Sequence, residues 1–233
     1  MKLAAIADLH YRISSAGLLH ELLAGAEREV EALMIGGDLT DTGLEAEMEV
    51  LIEDLRRIEL PIVTVLGNHD HEGGQHELLT EMLTRSGVMV LEDNAVEISG
   101  VNFVGTKGFC GGFGEHLIQP FGEQAIKRFT EESAAEANRL ENALARTSEG
   151  PRLVILHYSP VIDTLTGESV ELYPFLGTSR LAEAIDRQGA DMIIHGHAHN
   201  GSAAGATADC VPVYNVCRFV PQEGRRAWRL LEL

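Results

Sequence analysis

Asp8 and His10 stand two residues apart, as do His197 and His199, and each pair follows a short aliphatic run. Three further runs of the same kind end in Asp38, in Asn68-His69-Asp70 and in His157. Carboxylate, imidazole and amide groups are the donors that hard-to-borderline divalent cations take. Two such cations about 3.5–4 Å apart, bridged by one carboxylate, hold a hydroxide and grip a phosphoryl oxygen at the same time. Asp38 is the natural bridge, because it has two oxygens and because Gly36-Gly37 before it permits close backbone approach. The paired residues at each strand end point to one face, so Asp8 with His10, and His197 with His199, can each reach one centre. Asn68 adds a neutral amide oxygen and His157 another imidazole, which is enough for two ions.

The elements that must deliver these groups are legible in the same runs. Residues 3–7, 32–35, 62–66, 153–156 and 192–194 are short and rich in Ala, Val, Ile, Leu and Met. They read as strands of a sheet covered on both faces, and open α/β sheets bind ligands at the carboxyl ends of their strands. Residues 16–30 and 44–58 carry apolar positions at helical spacing, and Thr42 with Glu45 suggests a capping box for the second of these. Strand, helix, strand, helix, strand is two βαβ units and a parallel sheet. Residues 78–83 form a third short helical pattern. Residues 88–91, 95–98 and 101–105 then read as three strands, the last two around a Ser99-Gly100 turn. They shift the second half toward a mixed sheet. Residues 107–122, with five glycines and three phenylalanines, have no period and are expected to be a lid loop. Helical patterns over 123–147 and 177–188 and closing strands over 211–216 and 227–231 complete a single expected domain, 1–233.

The series Asp8-Leu9-His10, Gly37-Asp38, Gly67-Asn68-His69-Asp70, His157 and Gly196-His197-Ala198-His199 resembles the motif set of the calcineurin-like metallophosphoesterase superfamily, in its order. The resemblance implies a four-layered αββα sandwich with two mixed β-sheets. It implies one metal on Asp8, His10, Asp38 and His199, and a second on Asp38, Asn68, His157 and His197. His69 matches the family's catalytic histidine beside the scissile phosphate, with Asp70 as the group that orients it. Manganese is the first expectation for the metals, with iron, zinc and nickel as alternatives. The implied function is hydrolysis of phosphate esters, chiefly small-molecule or nucleotide diesters. A nuclease and a catalytically silent scaffold of the same fold are the competing readings, although a scaffold should have a broken site and here every motif residue is present.

Whole-chain properties narrow the partners. With 233 residues, 45% of them hydrophobic, the chain can build a sizeable core. Eighteen Lys and Arg face 36 Asp and Glu, a net charge of −18. A surface that acidic repels nucleic acid, so a small phosphorylated substrate is expected. Three cysteines without CxxC spacing fit a reducing compartment, and no apolar run reaches the ~18 residues of a membrane span. Asp8 interrupts the first apolar stretch too early for a signal peptide, so the expectation is a cytoplasmic protein. Asp41 reads as a turn residue, His195 as a buried histidine outside the ligand set, and Cys217 as a small core hydrophobe. Phe109, Phe113 and Phe121 are expected to pack the lid onto the body rather than to stack on a ligand.

Overall fold

The computed structural model describes the backbone of residues 1–233 and every side chain but that of Arg225. Two sheets lie face to face. The first runs β11-β1-β2-β3-β4, where β1 is Lys2–Ile6, β2 Ala32–Gly36, β3 Ile62–Val65, β4 Met89–Val90 and β11 Arg229–Glu232. The second runs β5-β6-β7-β8-β10-β9, with β5 Ala95–Ile98, β6 Val101–Thr106, β7 Arg152–Leu156, β8 Met192–His195, β9 Ala204–Ala206 and β10 Pro212–Asn215. Strands β1 to β4 are mutually parallel, as are β6, β7, β8 and β10, while β11, β5 and β9 are antiparallel edges. Both sheets are therefore mixed.

Each strand's alternation assigns its side chains to two different layers. In β1, Leu3 and Ala5 pack between the sheets with Phe103, Leu153 and Ile155, whereas Ala4 and Ile6 face the outer helices with Met48 and Leu51. On the far side, Val154 and Leu156 of β7 meet Leu140 and Leu144 of helix α5 and Leu181 and Ile185 of α7. Here α1 is Leu18–Leu22, α2 Glu45–Leu55, α3 Asn68–Glu72, α4 His76–Arg85, α5 Gln124–Leu144, α6 Tyr173–Leu176 and α7 Ser179–Gln188. The layers are thus helix, sheet, sheet, helix, and burial on both faces explains why the strands are continuously apolar.

Four local expectations are corrected. The helical pattern over 16–30 is interrupted, because the chain turns left-handed at Gly25 (φ 86°); only α1 and a 3-10 turn at Ala26–Arg28 form. Residues 88–91 supply β4, which pairs parallel with β3 in the first sheet instead of opening the second. The cap of α2 uses Glu47, not Glu45: its carboxylate accepts from Thr42 N at 2.9 Å and Thr42 Oγ1 at 3.0 Å. Finally, the first half of the glycine-rich 107–122 segment is pinned rather than lid-like. Gly112 N donates to Gly177 O and Ser179 N to Gly112 O. Phe113 is buried with Leu165, Leu176 and Ala198, and Phe109 packs on Phe129 and Tyr158.

Candidate active site

The carboxyl ends of β1, β2, β3, β7 and β8 meet at one edge of the two sheets, and main-chain pairing carries on past the strands into the motif loops. Asp8 N donates to Gly37 O, His10 N to Asp38 O and Tyr11 N to Leu39 O, all at 2.9–3.0 Å. Gly196 N donates to His157 O at 3.2 Å, tying the β8 end to the β7 end. The two sheets are joined here by Asp8, whose carboxylate accepts from His197 N at 3.0 and 3.1 Å. Asp8, His10, Asp38 and His197 all adopt positive φ, between 46° and 68°. Non-glycine residues visit that region rarely and at a cost, and such strain concentrates at functional sites. Close approach matters as well. A Cβ on Gly37 would stand 2.7 Å from His157 Nδ1, and one on Gly67 would collide with Asp38 Oδ1.

Three groups of donors result, one of them His10, Asp41 and His69, and the other two sharing Asp38. Ligand atoms of Asp8, His10, Asp38 and His199 lie within 4.8 Å of one another, and so do those of Asp38, His157 and His197. Asn68 Oδ1 joins the second group, 2.9 Å from His157 Nε2. In the first, His199 Nε2 is 3.1 Å from Asp8 Oδ1 and 3.4 Å from His10 Nε2. Asp38 belongs to both. Its Oδ1 accepts from His69 N at 2.9 Å, while its Oδ2 is buried without a hydrogen-bond partner. A buried carboxylate oxygen without a partner is costly, and a cation between these donors would satisfy it. The donor set of carboxylates, imidazoles and one amide fits two divalent ions.

Asp38 and His157 set each other's charge. Burial would push the Asp38 carboxyl up, but His157 holds it well below the usual carboxylate range. In return, although burial favours the neutral imidazole, Asp38 keeps His157 up at about 9. His157 donates its Nδ1–H to Gly36 O at 2.9 Å, which aims Nε2 at Asp38 and Asn68. Burial pushes His197 down to about 3 and lowers His10; a neutral imidazole is the form that ligates a metal. His195, fully buried, donates Nδ1–H to Gly196 O and sits 2.8 Å from Thr164 Oγ1, so its ring is used inside the fold.

His69 and Asp70 are brought to the site but not to each other. The His69 ring packs edge-on against His10 at 4.5 Å between centroids, and its Nδ1–H donates to Asp41 O at 2.6 Å. The Asp70 carboxylate instead accepts from Leu39 N, Thr40 N, Thr40 Oγ1 and Gly67 N. Burial and then the Asp38 charge raise its pKa to about 6. The expected Asp70–His69 contact is therefore replaced, because α3 points the Asp70 side chain inward at the β2 and β3 loops. Asp41, read from sequence as a turn residue, does the orienting. Its carboxylate also lies 3.6 Å from His10 Nδ1 and 2.8 Å from Arg12 Nε. Sequence reasoning also missed Arg218 and Phe219. They follow β10, whose end reaches the site through an isolated bridge between Ala7 and Cys217. The Phe219 ring lies 4.9 Å from that of His199. Nothing in their sequence neighbourhood signals this; only the strand order does.

Known proteins resemble this chain over most of its length. YpbG of Bacillus subtilis (strain 168), an uncharacterized protein, is 26% identical over 197 residues, covering 84% of this chain. The chain spans 60% of the length of YpbG. A Synechococcus protein named as a probable cyclic nucleotide phosphodiesterase is 26% identical over 246 aligned positions, covering 100% of this chain and 88% of its own length. The crystal structure of TT1561 of Thermus thermophilus superposes with a TM-score of 0.53 at 15% identity, over 94% of this chain and 88% of that one, a likeness of fold. The calcineurin-like phosphoesterase family matches residues 1–201. With that match spanning every motif from Asp8 to His199, the chain belongs to the calcineurin-like phosphoesterase family.

Proposed function

We propose that the protein is a metal-dependent hydrolase of small phosphodiesters, nucleotide esters among them. The observation that carries the reading is Asp38, a carboxylate common to two donor groups: Oδ1 lies 3.3 Å from His157 Nε2, and Oδ2, 3.8 Å from His10 Nε2, is buried without a hydrogen-bond partner. Asp8, His10, Asp38 and His199 would hold one divalent ion, and Asp38, Asn68, His157 and His197 the other. Such ions, when bound, supply Lewis acidity for the phosphoryl oxygens and a hydroxide nucleophile at neutral pH. His69 supplies the proton. With Nδ1–H committed to the Asp41 carbonyl, Nε2 is the nitrogen left over, and only when it too is protonated can the ring donate to the leaving ester oxygen, keeping Nδ1–H in place. Asp70 keeps the loops under His69 and Asn68 in register.

The Synechococcus relative's name supports a diester, and the net charge of −18 favours a small substrate over a polynucleotide. Manganese is the first choice of metal, ahead of iron, zinc or nickel, all of which this donor set accepts. A cytoplasmic setting is consistent with three free cysteines, two of them buried. Among the described residues no helix is long and apolar enough to cross a membrane. The test is a rate panel on metal-stripped protein with Mn²⁺ added back, across monoesters, diesters including cyclic nucleotides, and pyrophosphates. Metal-dependent turnover fastest on small diesters is expected. No metal-dependent hydrolysis of any of them would overturn the assignment.

A further inference from the structure

Arg218 and Phe219 stand at the rim of the site. Arg218 N donates to Ala7 O at 3.1 Å, so the pair is held where β1 ends, next to Asp8. Phe219 is 49% exposed although it sits among candidate ligands, its ring centroid 4.9 Å from that of His199 and 6.2 Å from that of His10. The Arg218 guanidinium lies over this ring, 4.6 Å from its centroid. Among the described residues that guanidinium has no carboxylate at ion-pair distance, and its Nε is buried without a partner. Its neighbours are paired: Arg12 with Asp41 at 2.8 Å and Arg226 with Glu29 at 3.1 Å. In a chain with 36 acidic residues against 18 basic ones, a guanidinium left free beside a phosphoesterase centre is available to an anion from outside.

We propose that Arg218 and Phe219 form the substrate-recognition pair of this site, with Phe219 stacking the base of a nucleoside ester and Arg218 donating to its phosphate oxygens. The inference rests on the phosphodiesterase reading above and names the class of ester. An exposed aromatic ring gives base stacking that tolerates any base, because every base has a π-face. The guanidinium packed on the ring restrains its rotation and adds a planar fork for phosphate oxygens. Phe113 is buried and Phe109 is engaged by Phe129 and Tyr158, while Phe175, 55% exposed, meets the site through its main-chain carbonyl, 3.2 Å from His197 Nε2.

The experiment is calorimetric titration of the Mn²⁺-loaded full chain with adenosine monophosphate and with ribose 5-phosphate, which differ only in the base. Wild type should prefer the nucleotide by about tenfold or more, the range base–aromatic stacking spans. Phe219→Ala and Phe219→Leu should bring the ratio close to one. Phe219→Trp should keep it, and so should Phe121→Ala, a truncation at an exposed position of another loop. Arg218→Gln should weaken both ligands by about tenfold, since the phosphate is common to them. The two Phe219 truncations cover for each other if one misfolds, which a thermal melt reports. A wild type without preference for the nucleotide, or a preference that survives Phe219→Leu, overturns the stacking role. Unchanged affinities in Arg218→Gln overturn the phosphate role. A Phe219-dependent preference in a protein that hydrolyses no phosphoester would sink the reaction assignment and leave this recognition pair standing.

Discussion

His69 donates its Nδ1–H to the main-chain carbonyl of Asp41 at 2.6 Å, across a turn that also places the Asp41 carboxylate 3.6 Å from His10 Nδ1. A carbonyl can only accept, so the main chain fixes Nδ1 as a donor, with the Glu72 carboxylate farther off at 3.9 Å, and a main-chain acceptor survives every side-chain change at residue 41. This separates two roles that a carboxylate–histidine pair would merge. His69→Ala should lower turnover by about 10²–10⁴-fold, the usual worth of a general acid. Elemental analysis of that variant should still give wild-type metal content. Metal lost in proportion to activity would make His69 a ligand instead.

Asp70 should prove a structural residue. Its carboxylate takes three main-chain N–H groups and the Thr40 hydroxyl in a fully buried position. Each buried donor left unpaired costs about 1–3 kcal/mol, so Asp70→Ala should lose at least about 3 kcal/mol of stability in a denaturant titration. Wild-type stability with turnover gone would instead put Asp70 in the chemistry.

Asp38→Ala should be the most damaging change among the candidate ligands, because it removes a donor from both groups at once. Residues that merely orient ligands are worth roughly 10–100-fold in metal affinity or activity. A shared ligand should therefore cost at least about a hundredfold in turnover, with both metals missing by elemental analysis. A variant that retains two ions per chain would show that the bridge is wrongly assigned.

Metal removal should destabilise the fold, since the motif loops from both sheets converge on the same donors. A ligand at 100 times its Kd stabilises by about 2.7 kcal/mol per site, which for a domain of this size is roughly 5–10 °C in Tm. Chelator-treated protein, stripped of both ions, should melt lower by about twice that, roughly 10–20 °C, and added Mn²⁺ should restore it. A melting curve indifferent to both treatments would speak against built-in metal sites.

The 107–122 segment should behave as two halves. Phe113 packs with Leu165, Leu176 and Ala198, so Phe113→Ala should cost about 3–5 kcal/mol as a core truncation. Phe121 is 85% exposed, and Phe121→Ala should stay within about 0.5 kcal/mol of wild type. Equal stability of the two variants, with substrate preference changed by Phe113→Ala alone, would restore the lid reading.

Strand-end chemistry was legible because fully buried strands are continuous apolar runs, and the residue just beyond such a run is the first that can be polar. Asp8, Asp38, Asn68, His157 and the His197–His199 pair announce themselves in that way, and their order along the chain carries the family. The βαβ start and the mixed second half were legible from period and turn chemistry for the same reason. Local pattern was silent on residues 88–91: a short apolar strand reads the same in either sheet, and only the free edge of β3 decided where it went.

Contacts across the fold were beyond the sequence altogether. That His69 meets the Asp41 carbonyl rather than Asp70 depends on how α3 is seated against the β2 loop, and side-chain direction there follows from packing, not from adjacency. That Arg218 and Phe219 reach His199 depends on β10 lying beside β8, with its end against the end of β1. Residue types and local spacing determine which groups the chain can offer to a metal and a phosphate. Strand order and sheet stacking decide which of them share a site, because they alone set the distance between residues remote in sequence.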